Sequence, residues 1–143
     1  MKNIQKIGLA ALFSAVVAFG HGSVTPQAID IEVVKKAGVK LLGDEQLDEN
    51  PYKTTDAKVV AFGKIQYAEN CARCHGLDAV SGGIAPDLRY LEEGMDGDEW
   101  FVDRFMNGAV RNGNVYMPPF KGILPQEAMW SIRTYVQSLP KED

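Results

Sequence analysis

The sequence predicts an all-α fold with three main helices. Three observations lead there. Three segments repeat their apolar residues every three to four positions, the period of an amphipathic helix. No segment alternates with period two for long enough to make a strand. The stretches between the helical segments, Gly76–Leu88 and Gly108–Leu124, are rich in glycine and proline and read as loops. At 143 residues with 45% hydrophobic and 24% charged side chains, the chain lies in the ordinary globular range.

The first helix starts at Thr55 or Asp56, either of which can cap it, and carries Val59, Val60, Gly63, Tyr67 and Cys71 on one face. The second spans Asp98 to Asn107, with Phe101, Val102, Phe105 and Met106 as its stripe and Gly108 just past its end. The third spans Pro125 to Leu139. Pro125 suits the first helical position and Pro140 stops the helix. Met129, Ile132, Val136 and Leu139 form its buried stripe, flanked by Trp130 and Tyr135.

Ahead of these lie two segments of different character. Residues 1–20 join a positive start (Lys2, Lys6) to an uncharged run from Ile7 to Phe19 and the small residues of Ala18-Phe19-Gly20. This is the pattern of a secretory signal peptide cleaved after Gly20. The other reading is a membrane anchor, for which the run falls short of the roughly 20 residues that span a bilayer. Cleavage removes two lysines and no acid, which takes the net charge from −4 to −6. Residues 21–55 read as an arm rather than core, with a short helix possible within Ile31–Leu42 and a turn at Asn50-Pro51. Residues 56–140 then form the folded domain. The acidic balance argues against nucleic-acid binding.

Three short helices bury little apolar area against the entropy of ordering so much loop. The missing filler is announced by Cys71-Ala72-Arg73-Cys74-His75. C-x-x-C-H is the attachment signature of c-type haem. Thiols three residues apart at a helix end can each add to one vinyl group, and the next residue brings an imidazole to the iron. A dithiol redox site also uses C-x-x-C, but there a strand leads into the motif, whereas here a helix does. Cys71, Cys74 and His75 are too few for a tetrahedral zinc site.

The second axial ligand is reached by elimination. His21 belongs to the N-terminus. Met1 leaves with the signal peptide, Met106 and Met129 lie on apolar stripes, and Met95 lies in an acidic turn. Met117, in a loop stiffened by Pro118 and Pro119, remains. The alternative is loop packing over an open iron. Pro86 is the candidate to accept the second imidazole N–H of His75 through its carbonyl, and Leu88 to pack on the haem face. An ordinary loop proline is the alternative. A cavity lined by Cys71, Cys74, His75, Pro86, Leu88, Phe105 and Met117 is therefore expected. Arg89 and Arg111 are candidates to neutralise the propionates, or plain surface arginines.

These residues resemble the class I monohaem c-type cytochromes from Asp56 to Leu139. The markers are Gly63 with Tyr67, CARCH, the glycine-rich loop ending in Pro86 and Leu88, Met117-Pro118, and Trp130, Ile132 and Tyr135 near the end. The resemblance implies the cytochrome c-like fold, with Gly63 and Tyr67 crossing Ile132 and Tyr135, and with His75 and Met117 as axial ligands of one covalent haem c. The arm from His21 to Asp30, Asn50-Pro51-Tyr52 and the stretch from Gly108 to Tyr135 are further similar to the periplasmic cytochrome c-550 type. That type partners alcohol dehydrogenases dependent on pyrroloquinoline quinone (PQQ).

The resemblance implies a soluble, monomeric one-electron carrier of the periplasm rather than an enzyme. A quinoprotein alcohol dehydrogenase is its donor, and a terminal oxidase or another cytochrome its acceptor. The competing readings are a haem peroxidase or gas-binding cytochrome, using His21 or Tyr116 as distal group, and a cytochrome subunit of a membrane complex. Ala72, Gly82, Gly83, Ile84, Tyr116, Pro118, Pro119 and Phe120 are expected around the exposed haem edge. Glu92, Glu93, Asp96, Asp98 and Glu99 form an acidic cluster able to steer a basic partner.

Overall fold

The computed structural model describes residues 25–142. The signal-peptide segment and His21 lie outside them. Its elements are α1 (Ile31–Lys36), α2 (Ala57–Asn70), α3 (Ala72–His75), α4 (Met95–Asn107), β1 (Ala109–Arg111), β2 (Asn114–Met117) and α5 (Gln126–Gln137).

Helix α2 begins where an acidic cap dictates. The Asp56 carboxylate accepts from the N–H groups of Lys58 at 3.0 Å and Val59 at 3.3 Å, satisfying donors that the first turn leaves free. Its buried face is Val59, Phe62, Gly63, Gln66, Tyr67 and Asn70. Val60 is only partly buried. That face crosses α5 at very short range. A Cβ added to Gly63 would lie 1.9 Å from the Ser131 carbonyl oxygen, so only glycine lets the two backbones meet. One turn on, the Tyr67 and Tyr135 rings lie 5.4 Å apart. The crossing therefore uses Ser131 and Tyr135, while Ile132 turns toward the functional cavity.

Helix α5 is the axis of the fold. Every residue from Glu127 to Val136 is buried. Of the expected stripe, Met129, Ile132 and Val136 are interior while Leu139, past the helix end, is only partly buried; Trp130, Arg133 and Thr134 are interior as well, because α2, the arm and α4 all contribute to the cover. Pro125 stands at its N-cap, one position before the first helical residue. The arm is part of this cover rather than a free segment. Val34 and Val39 are buried. The Leu42 N–H donates to Glu127 Oε1 at 2.9 Å, and Asn50 donates through its side chain to Thr134 Oγ1 at 3.0 Å.

Helix α4 starts at Met95, three residues before the expected Asp98, with Gly94 ahead of its first turn. Asp98 is buried inside α4, accepting from Arg133 Nε at 2.8 Å and from the Asn50 N–H at 2.9 Å. It therefore leaves the acidic surface cluster to which the sequence assigned it. The second departure is the hairpin. Asn112 and Gly113 both have positive φ, 50° and 78°, as a two-residue primed turn requires. Val110 pairs with Val115 and Arg111 with Asn114. The strands are too short to alternate visibly, which is why the segment reads as loop.

Candidate haem-binding site

Two opposed walls form the site. The first begins where α2 ends. Cys71 closes α2 with its N–H on the Tyr67 carbonyl at 2.8 Å, and the His75 N–H returns to the Cys71 carbonyl at 3.0 Å. This single turn brings both thiols and the imidazole together. Gly76 then reverses the chain with φ of +82°, so tightly that a Cβ would lie 1.9 Å from the Val80 carbonyl oxygen.

The loop that follows is tied down at several points. The Tyr67 hydroxyl donates to the Gly76 carbonyl at 2.8 Å, and the Tyr135 hydroxyl to Asp78 Oδ1 at 2.8 Å. The Ser81 hydroxyl donates to the Ala85 carbonyl at 2.5 Å. Asp87 caps the turn at Leu88–Tyr90 by accepting from the Arg89 N–H at 3.0 Å and pairs with the guanidinium at 2.8 Å. Thus held, the Pro86 carbonyl lies 2.8 Å from His75 Nδ1. A carbonyl can only accept, so Nδ1 carries the proton and the lone pair is left on Nε2.

The second wall is the hairpin and the chain after it. Gly108 (φ +68°) lets β1 pass close to Met117, since a Cβ there would lie 2.3 Å from the Met117 carbonyl oxygen. Beyond the two prolines, the Phe120 N–H donates to the Phe105 carbonyl at 2.9 Å. The two rings stack at 5.1 Å.

Between the walls lies a cavity of about 660 Å³ that Cys71, Cys74, His75, Pro86 and Met117 line together. An adjoining inner space of about 40 Å³ is lined by Leu88, Phe101, Phe105 and Ile132, with Cys71, His75 and Met117 shared. All seven residues expected around the cavity are thus present, divided between a wide outer chamber and an apolar floor. Met117 is the only described methionine lining it. Met95 is exposed and Met129 is fully buried elsewhere.

Arg89 is a different case from the one expected. It is buried, bonded to Asp87 and to the Pro140 carbonyl, and lines neither space. Arg111 stands at the rim, its guanidinium 5.8 Å above the Tyr116 ring. Phe120 belongs to the buried floor and not to the exposed edge. Arg104 and Trp100 line both spaces and were not anticipated. Arg104 lies 5.4 Å over the Trp100 ring and donates to the Gly108 carbonyl at 3.1 Å. Their i, i+4 spacing places both on one face of α4, which is the signal that could have found them.

The donor set fits a covalently bound haem. It combines two thiols, an imidazole with a free Nε2, an apolar floor, and arginines toward the opening for acidic groups. Burial pushes the Cys71 thiol up to about 12, and Cys74 beside it adds to the rise.

Comparison with known proteins agrees. Residues 59–136 match the family model described as cytochrome C oxidase, cbb3-type, subunit III. Cytochrome c550 of Pseudomonas aeruginosa is 52% identical over 134 residues, 92% of this chain and 89% of that protein. Quinohemoprotein alcohol dehydrogenase ADH IIB of Pseudomonas putida is 34% identical over 90 residues, 63% of this chain but 12% of that enzyme. Cytochrome c6 of Euglena gracilis is 31% identical over 52% of this chain and 85% of its own. No solved structure matches the chain significantly. No helix among the described residues is long and apolar enough to cross a membrane. With a C-x-x-C-H turn facing an apolar-floored cavity and relatives of this kind, the chain belongs to the c-type cytochromes, electron-transport proteins that carry covalently bound haem c.

Proposed function

We propose that this chain is a diffusible one-electron carrier of the periplasm in which His75 and Met117 are the axial ligands of a single haem held by Cys71 and Cys74. Its donor is a quinoprotein alcohol dehydrogenase, and its acceptor a terminal oxidase or another cytochrome. The observation that carries the reading is that His75 and Met117, from separate segments of the chain, line one cavity together with both cysteines. The bound group supplies the redox centre, and a His/Met pair raises its potential.

The chain's own residues do the rest. Pro86 orients His75 and fixes its tautomer. Pro118 and the close approach at Gly108 hold the Met117 backbone. Leu88, Phe101 and Phe105 exclude water from the floor. Tyr116, which a peroxidase or gas-binding reading would enlist, is mostly exposed beneath Arg111.

The donor is suggested by the likeness to the cytochrome part of a quinohaemoprotein alcohol dehydrogenase. Residues 1–20 then act as an export signal, residues 21–55 as an arm, and residues 56–140 as the cytochrome domain. Replacing Met117 by Ala in the holoprotein should abolish the far-red sulfur-to-iron absorption of the oxidised form, lower the potential and admit carbon monoxide. Replacing Met106 by Ala should do none of these. The reverse pattern would move the ligand. Stopped-flow reduction by the purified dehydrogenase with its alcohol tests the donor. A rate no higher than with an unrelated periplasmic dehydrogenase would remove it.

A further inference from the structure

A second cavity, of about 520 Å³, lies between the arm, the end of α4 and the start of α5. Its inner end is lined by Phe105, Leu124, Glu127 and Met129, all buried, and its rim by Ile31, Leu41, Asp44 and Gln46, all exposed. The arm is tied across it at the start of α5. The Gln126 side chain donates to the Gly43 carbonyl at 2.7 Å and to the Glu45 carbonyl at 2.8 Å, and accepts from the Leu47 N–H at 3.2 Å. Phe105 also lines the inner haem space, so the two cavities share an aromatic wall. The volume is that of a site for a small molecule.

Packing does not account for the carboxylate at the inner end. Glu127 is only 3% exposed. Its Oε1 accepts from the Leu42 N–H at 2.9 Å, while Oε2 makes no hydrogen bond or ion pair among the described residues. The Tyr52 hydroxyl, which feels the Glu127 charge, is committed to the Lys40 carbonyl at 2.5 Å. The first turn of α5 favours a negative charge, but a buried carboxylate ordinarily has a counter-charge as well. The cavity lining supplies none. Its charged members are Asp44 and Glu127, with no lysine, arginine or histidine among the described residues. The bases nearest along the chain, Lys40 beside Leu41 and Lys121 beside Gly122, are exposed and outside the lining, as is Lys36. Lys35 is paired with Glu32 at 2.5 Å. From Leu41 to Tyr52 the arm carries Asp44, Glu45, Asp48 and Glu49 and no base.

We propose that this cavity binds a small primary organic ammonium compound, its cationic head on Glu127 and its apolar body against Phe105, Met106 and Leu124. The ammonium brings the donors and the charge that Oε2 lacks. Removal of the apolar body from water offsets part of the cost of burying the pair. Met106 and Met129 are unbranched and adapt to bodies of different shape. Asp44 at the rim draws a cation in and turns away an anion of the same shape. Binding here makes no use of the donor or the acceptor, so it stands or falls apart from the electron-carrier reading.

The test titrates the reduced, isotope-labelled holoprotein with hexylammonium chloride and follows it by NMR. Sodium hexanoate controls for the apolar body, and ammonium chloride for the charge. Hexylammonium should bind saturably and move the amide signals of Leu42, Leu124 and Gln126 together with the ring signals of Phe105. Hexanoate and ammonium alone should each bind at least about tenfold more weakly. Glu127→Gln keeps an acceptor for the Leu42 N–H and should weaken hexylammonium about tenfold. Asp44→Lys, at an exposed position, should weaken it as well, and keeps the test open if the buried variant folds poorly. Hexanoate binding as tightly as hexylammonium would reduce the site to an apolar cleft and overturn the proposal. So would ammonium alone binding as tightly, shifts that never saturate, or an affinity that Glu127→Gln leaves unchanged.

Discussion

The crossing of α2 with α5 and the opposed walls around His75 and Met117 solve packing in contrasting ways. At the crossing, protein meets protein so closely that Gly63 has no room for a methyl group beside the Ser131 carbonyl. Tyr67 and Tyr135 then close the next turn. Around the cavity, residues of the 76–90 loop, α4 and the hairpin surround about 660 Å³ instead of filling it. The two tyrosines link the regions, because their hydroxyls hold Gly76 and Asp78 in the loop that carries Pro86. The close-packed half is thus a scaffold that aims a loop. The open half takes its final cohesion from a group that is not part of the polypeptide.

Removal of the haem should have the largest effect on this contrast. In a Cys71→Ala, Cys74→Ala double variant, amide exchange should lose protection across α4 and the hairpin while α2 and α5 keep measurable protection. Uniform loss would mean that the crossing has no independent stability. The buried ion pair comes next. Arg133→Met leaves Asp98 unpaired inside α4 and should destabilise the holoprotein by about 3–5 kcal/mol in denaturant titrations. Adding Asp98→Asn should recover much of the loss. Gly63→Ala should cost about 1–3 kcal/mol by forcing the helices apart, and should shift loop resonances at Gly76 and Asp78 through Tyr67 and Tyr135.

The smallest effect is one of pH. The Arg89 guanidinium beside Asp87 holds its carboxyl below the ordinary 3.8. A depressed carboxyl stabilises the fold above that ordinary value and loses the contribution as pH falls through its folded-state value. The difference in melting temperature between wild type and Asp87→Asn at neutral pH should therefore close below pH 3.8.

Much of the site is legible in the chain because its signals are local. C-x-x-C-H needs only one helical turn to assemble. Asp56, Gly108 and Pro125 mark element ends within a residue or so. Asn112-Gly113 was a legible turn signal as well, but strands of three and four residues are too short for alternation to register. The long-range partners are another matter. Nothing in the spacing of Asp98 and Arg133 announces that they meet, and Asp98 reads as surface charge until Arg133 is placed beside it. Arg89 leaves the role expected of it, and Arg104, of which none was expected, lines the cavity. Asp87 sits two residues from Arg89 and captures it, while α4 carries Arg104 onto the cavity wall.

By itself the sequence determined the all-α class, the three main helices, the thiol and imidazole motif and the short list from which Met117 emerged. Each of these is set by covalent neighbours or by a period of three to four residues. Only the tertiary structure decided that α5 is buried on all sides, that the arm is part of its cover, that Phe120 lies in the floor rather than at the edge, and that an acidic chain gathers arginines around its opening. Those outcomes depend on which surfaces meet across long sequence separations, and neither composition nor local period carries that information.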